Sequence, residues 1–106
     1  MNYEVFVTNE AEVDFDNIYD YILSHFSLEI VQQVITRLEN VFNLLSKKPQ
    51  NGLYLKELRA MSTKEFREVN INPYRILYYI EGKSVYVVLI ADGRCNMQRA
   101  LEGRLC

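Results

Sequence analysis

Between Phe66 and Arg94 the chain reads FREVNINPYRILYYIEGKSVYVVLIADGR, three apolar, aromatic and β-branched runs separated by short turn signals. No other stretch restricts the fold as much. The spacing predicts strands at about 65–71, 74–81 and 84–91, joined by Asn72-Pro73 and by Glu81-Gly82-Lys83, both short enough for hairpins. The middle run, YRILYYI, is apolar on both faces apart from Arg75, which places it centrally in a sheet. An arginine stands in each of the three pieces: Arg67, Arg75 and Arg94. A guanidinium among such residues needs either a buried partner or a ligand-facing surface.

Upstream, residues 3–8 alternate as a first strand with Tyr3, Val5 and Val7 on one face. Thr8 or Asn9 can cap a helix, with Glu12 three residues after Asn9 in capping-box fashion. Ala11, Phe15, Ile18 and Ile22 then share one helical face, so the helix should run to about His25. Ser27 caps a second helix, in which Val31, Val34, Ile35, Leu38, Val41, Phe42 and Leu45 trace an apolar stripe. The short link between them predicts an antiparallel helix hairpin. Pro49-Gln50-Asn51-Gly52 stops the second helix, residues 53–63 read as loop, and Asn96 can cap a last helical turn carrying Met97, Ala100, Leu101 and Leu105. The expected class is α+β, a small antiparallel sheet packed on an N-terminal helix hairpin in the order β-α-α-β-β-β-α.

With 106 residues, 49% hydrophobic and 25% charged, the sequence suits one globular domain, 1–106, able to bury a core without a metal or disulfides. No segment offers the roughly 20 apolar residues of a membrane helix and no signal peptide is apparent, so the expected location is cytoplasmic. Cys95 and Cys106 form no ligand spacing or framework and read as reduced thiols. Residues 1–50 hold three basic residues against eight acids, a net of −5, while residues 51–106 hold nine against six, a net of +3. A weakly acidic whole, pI ≈ 5.4, argues against a life on phosphate contacts. No phosphate loop, dinucleotide fingerprint, zinc site or nucleophile elbow is present, and no cofactor is expected.

Several signatures then fall in one order. They are the short strand, the helix hairpin ending in Pro49 to Gly52, Tyr74-Arg75-Ile76-Leu77-Tyr78, and Val87 to Arg94 followed by Leu101-Glu102-Gly103-Arg104-Leu105. Together they resemble the RelE/ParE family of toxins from bacterial type II toxin–antitoxin (plasmid stabilisation) systems, over nearly the whole chain. The resemblance implies a helix hairpin on one face of the sheet and a shallow concavity on the other. It also implies a cytoplasmic toxin held as a hetero-oligomer by a cognate antitoxin.

RelE-like members cut messenger RNA in the ribosome, and ParE-like members poison DNA gyrase. Ribonuclease chemistry needs groups that activate a ribose hydroxyl, stabilise phosphate charge and protonate the leaving oxygen. Arg75 matches the central-strand arginine of that set. The lysine positions fall near Phe66 and Glu68, the second arginine on Cys95 or, with a slip of one, on Arg94, and the tyrosine on Leu101. These departures favour the ParE-like branch, a gyrase inhibitor rather than an enzyme, without direct nucleic-acid binding away from the ribosome. The alternatives are a ribonuclease using Arg75 and Arg94, or a toxin-derived fold without activity.

The target-binding candidates are Arg67, Arg75, Arg94 and Arg99; the antitoxin-binding candidates are Tyr19 and Tyr21. Plainer readings stand beside them. Arg75 can bridge to Glu57, Glu68 or Glu81, Arg67 can snorkel at a strand start, and Arg94 and Arg99 can simply be solvated. His25 fits a helix C-terminus, and the acidic run from Glu10 to Asp20 fits a solvated helix face. Tyr74, Tyr78, Tyr79 and Tyr86 suit either base stacking or cross-strand packing.

Overall fold

The three strand runs form the middle of a five-stranded sheet, in the computed structural model that describes residues 2–61, 64–93 and 96–105, the side chains of Glu57, Ala60, Met61 and Leu105 excepted. The chain runs β1 (Glu4–Val7), α1 (Asn9–His25), α2 (Leu28–Lys47), a 3-10 turn (Pro49–Asn51), β2 (Leu53–Tyr54), a 3-10 stretch (Lys56–Met61), β3 (Arg67–Ile71), β4 (Tyr74–Glu81), β5 (Ser84–Asp92) and α3 (Met97–Leu105). The sheet order is β1-β5-β4-β3-β2, so the YRILYYI strand is central as its two apolar faces require. The α+β class and the hairpin-on-sheet arrangement follow the expectation from sequence.

Two features of the sheet differ from it. The sheet is mixed: β3, β4 and β5 form an antiparallel meander, but β1 pairs with β5 in parallel, from Glu4 opposite Ser84 to Val7 opposite Val87. The helix hairpin is an out-and-back excursion that returns the chain to the start of β1, where the Tyr3 N–H donates to the Ser46 carbonyl at 2.6 Å. From that level β3 sets out in the direction of β1, β4 reverses, and β5 therefore runs alongside β1. The second difference is β2 inside the segment read as loop; its two residues pair with Glu68 and Arg67.

Local chemistry sets the element ends. Thr8 Oγ1 accepts from the Ala11 N–H at 3.2 Å, and Ser27 Oγ accepts from the Ile30 N–H at 3.3 Å. Because Thr8 and not Asn9 is the cap, the third helical residue is Ala11, which has no side-chain acceptor, and the Asn9–Glu12 capping box does not form. The β4–β5 turn uses Gly82 at φ +61°, the positive value a two-residue hairpin needs at its first position. A register shift between Leu77 and Tyr78 leaves Val88 as the extra residue of a bulge in β5.

The hairpin face holds the main core, in which Ala11, Ile22, Val31, Leu38 and Leu45 meet Ile76, Tyr78, Val85, Val87 and Ile90. The opposite face is not an open concavity. Leu55, Leu58, Phe66, Leu77, Leu89, Met97 and Leu101 fill it as a second buried cluster, roofed by α3 and the connector before β3. Among the described residues no helix is long and apolar enough to cross a membrane, and no trio of His, Cys, Asp or Glu is placed to hold a metal ion.

Candidate functional site

Arg75 stands on β4, on the face away from the helix hairpin, with Glu68 diagonally across on β3. Its guanidinium donates to Glu68 Oε1 at 2.6 Å from Nε and lies 2.5 Å away at Nη2. Glu68 keeps 6% of its surface in water and the Arg75 side chain 24%, so the pair is largely desolvated and each charge is held by the other. Of the carboxylates weighed as partners whose side chains are described, Glu68 is the one engaged. Glu81 pairs with Lys64 at 3.3 Å, and the Glu57 side chain lies outside the described residues.

Arg67 points to the other side of the sheet and is also occupied. Its Nη1 donates to the Gln50 and Gly52 carbonyls at 3.2 and 3.1 Å, and its guanidinium sits 5.7 Å from the Tyr54 ring centroid. The buried Tyr78 hydroxyl donates to the Pro49 carbonyl at 2.5 Å. Together Arg67 and Tyr78 pin the Pro49–Gly52 turn, a tether rather than the free snorkelling side chain read from the sequence. Arg99 is exposed on α3, and its backbone N–H donates to Asn96 Oδ1 at 3.1 Å, as that cap requires. Arg94 and Cys95 lie outside the described residues, as does Cys106. The described candidate arginines do not converge: Arg67 and Arg75 face opposite ways and Arg99 stands on another element.

Two of the positions at which RNA cleavage needs polar groups, Phe66 and Leu101, are apolar and packed here. Phe66 is 2% and Leu101 1% exposed, both inside the second cluster. The sheet aromatics pack on one another across the strands. Phe6, Tyr86 and Tyr79 stack ring on ring at 5.4 and 5.2 Å, and Phe66 meets Tyr79 edge-on at 5.8 Å. Tyr86 is stacked on both sides, the cross-strand packing weighed for these rings. Tyr74 and Tyr78 lie in the hairpin-side core.

The residue that the sequence reading missed is Arg104. From α3 it reaches Asp14 of α1 through Nη2, approaches Glu10 at 3.7 Å, and donates from Nε to the Val88 carbonyl at 3.2 Å. Asp14 also accepts from the Ile90 N–H at 3.0 Å. Beyond Val7, where β1 ends, these two side chains satisfy the open edge of β5. The acidic run is thus not wholly a solvated face, and nothing in local spacing announces a contact 90 residues apart.

Tyr19 is half-buried against the hairpin core, its ring 6.4 Å from that of Phe15. Tyr21 is 55% exposed, stacks on His25 at 4.3 Å, and opens onto a cleft of about 610 Å³ shared with Phe26, Ile30, Arg37, Tyr74 and Asp92. His25 Nδ1 donates to the Tyr21 carbonyl at 2.9 Å, the helix-end role expected of it. A second cleft, of about 370 Å³, opens between α1 and α2 at the other end of the hairpin.

Set beside known proteins, the chain falls in the class of small toxins of type II toxin–antitoxin systems. The model of the ParE toxin of the type II toxin–antitoxin system parDE matches residues 5–97, and the chain belongs to that family. It is 27% identical over 94 residues to Toxin ParE3 of Caulobacter vibrioides, covering 89% of this chain and 90% of that protein. Its fold is similar to a solved structure described as the chromosomal ParDE TA system from P. aeruginosa. That likeness has a TM-score of 0.69 at 17% identity, covering 85% of this chain and 95% of the other. The parDE assignment implies an antitoxin partner.

Proposed function

We propose that this ParE toxin arrests growth in the cytoplasm by binding an essential protein, DNA gyrase first among the candidates, and that a cognate antitoxin neutralises it in a hetero-oligomer. The observation that carries this reading is the state of Arg75, whose guanidinium is spent on Glu68 while Phe66 and Leu101 fill the positions a ribonuclease gives to proton-transfer groups. Catalysis by proton transfer needs a titratable group within reach of the reacting hydroxyl, and a side chain already neutralised in a buried pair is a poor stabiliser of developing phosphate charge. A protein–protein mode needs none of this. In it, Arg99 meets the target from its exposed place on α3, while Arg67 and Arg75 support the fold.

Addition of the purified protein to a gyrase supercoiling reaction tests the proposal. Inhibition or accumulation of cleaved DNA is the expected result, and unaltered supercoiling at high molar excess removes gyrase as the target. Induction of the chain alone separates the modes further: replication arrest with an SOS response is expected, whereas cuts within codons of translated messages belong to a ribonuclease.

A further inference from the structure

Strand β1 is an edge of the sheet, and part of its outer side is open. In the parallel pairing with β5 the Glu4 and Thr8 N–H groups donate to the Lys83 and Val87 carbonyls at 2.9 and 3.0 Å, so alternate residues turn inward and Val5 and Val7 present N–H and C=O outward. Tyr3 shares the outward side, but its N–H is taken by the Ser46 carbonyl. Past Val7, Asp14 and Arg104 close the same side of the sheet along β5. Between these closures the four outward groups of Val5 and Val7 meet no hydrogen-bond partner among the described residues. Phe6, on the face away from the hairpin, is 39% exposed and stacks on Tyr86 at 5.4 Å, which leaves its edge-facing side without an aromatic neighbour among the described residues. Such an edge is a template for another strand.

We propose that a second copy of this chain pairs with this edge, β1 against β1 in antiparallel fashion, about a two-fold axis at Phe6. Residues directly opposite in an antiparallel pair turn their backbone groups the same way, so Val5 and Val7 must each face an outward-turned residue. The register that uses all four groups sets Val5 against Val7 of the second copy, and Val7 against its Val5, with four hydrogen bonds. Phe6 then meets its own counterpart in the close, non-hydrogen-bonded position, and the stack of Tyr79, Tyr86 and Phe6 continues into its two-fold image. The hairpin favours the same occupant. Glu4 falls opposite Thr8 rather than a like charge, and one row further Tyr3 falls opposite Asn9. Because Tyr3 is tied to Ser46, the end of α2 in one copy, with the exposed Lys47 and Lys48, arrives beside the start of α1 in the other, with the exposed Glu10 and Glu12. Opposite charges and opposite helix ends meet, twice by symmetry. The paired strip is short, so the dimer is of the weak, small-interface kind, with a micromolar Kd.

Sedimentation equilibrium of the purified full chain tests this, and a monomer–dimer equilibrium in the micromolar range is expected. Amide exchange at Val5 and Val7 should slow as concentration rises. Phe6→Lys sets two ammonium groups face to face at the axis through an exposed side chain; circular dichroism checks its fold, and its dimer Kd should rise about tenfold or more. The register has a readout of its own. In a Cys95→Ser, Cys106→Ser background, Phe6→Cys should form a disulfide-linked dimer with oxidised glutathione, since a non-hydrogen-bonded pair has the Cα separation a disulfide needs. Glu4→Cys, four residues along from its counterpart, should not. A chain that stays monomeric up to millimolar concentration overturns the proposal. A dimer that Phe6→Lys leaves intact, or that links through Glu4→Cys and not Phe6→Cys, lies elsewhere and overturns it too. Protection of Val5 and Val7 that appears only when a different protein is added gives the edge to that protein and has the same effect.

Discussion

Gly52 shows how narrowly one residue is specified by its neighbour. A Cβ at this position would lie 2.0 Å from the Tyr78 hydroxyl oxygen, and Tyr78 is wholly buried with its hydroxyl bonded to Pro49, so the ring has nowhere to go. Gly52→Ala should cost about 1–3 kcal/mol, the range for overpacking, and urea unfolding would measure it. An unchanged midpoint would show that the turn gives way freely. Tyr78 also sets a pH dependence. Burial holds its phenol above the ordinary value of 10.0, against smaller opposing effects of a Gly52 backbone hydrogen bond and the Arg67 charge; burial, then the Asp92 charge, does the same for Tyr74. The unfolded chain ionises these phenols near pH 10 and the folded chain only higher, so the unfolded state binds fewer protons in that window. The stabilisation is fully present below pH about 10 and is lost as pH rises through the folded values. Tyr78→Phe should flatten this alkaline fall while lowering stability at pH 7 by about 1–2 kcal/mol through the unpaired Pro49 carbonyl. Equal slopes in the two proteins would place the alkaline loss elsewhere.

At the scale of elements, α3 is held by two different forces: Met97 and Leu101 enter the second cluster, and Arg104 bonds to Asp14 and to the Val88 carbonyl. Asp14→Ala removes the acceptor of both Arg104 and the Ile90 N–H. It should cost about 1–3 kcal/mol and speed amide exchange in α3 and at Ile90, with the α1–α2 contact unaffected. Exchange that rises evenly over the chain would instead mean that α3 opens only with global unfolding. These contacts also mark how far the sequence could be read. Elements with a strong period or a cap of their own were legible: the ends of α1 at His25 and β4 at Glu81, the Ser27 cap, and the Asn96 cap of α3. What depended on distant partners was not. The parallel β1–β5 pairing follows from chain path rather than composition, β2 is too short to show alternation, and Arg104 looks solvated until α1 is brought beneath it. Glu68 stood among the partners considered for Arg75, and Leu101 was legible among the apolar residues of the last helical turn, but that Phe66 would meet it in one cluster had no local signal.

At the scale of the whole molecule, the question is whether toxicity follows from a reactive group or from a folded surface, and the Arg75–Glu68 pair separates the two. Removing one member of a buried ion pair strands the other, so Glu68→Leu alone should cost about 3 kcal/mol, the low end for such pairs because Arg75 keeps some contact with water. Replacing both by apolar residues of similar size removes the stranded charge, and Glu68→Leu with Arg75→Met should recover most of that loss in thermal or urea unfolding. A nuclease that depends on the Arg75 guanidinium dies in the double variant however well it folds. A binding toxin does not, because the surface that meets its target is rebuilt with the fold. Growth arrest on induction without antitoxin should therefore track stability, weak in Glu68→Leu and restored in the double variant. Arg99→Glu should do the reverse, shifting stability by no more than about 0.5 kcal/mol, as exposed substitutions do, while weakening the arrest. A stable, folded double variant with no effect on growth would return Arg75 to the reacting centre and sink the binding mode.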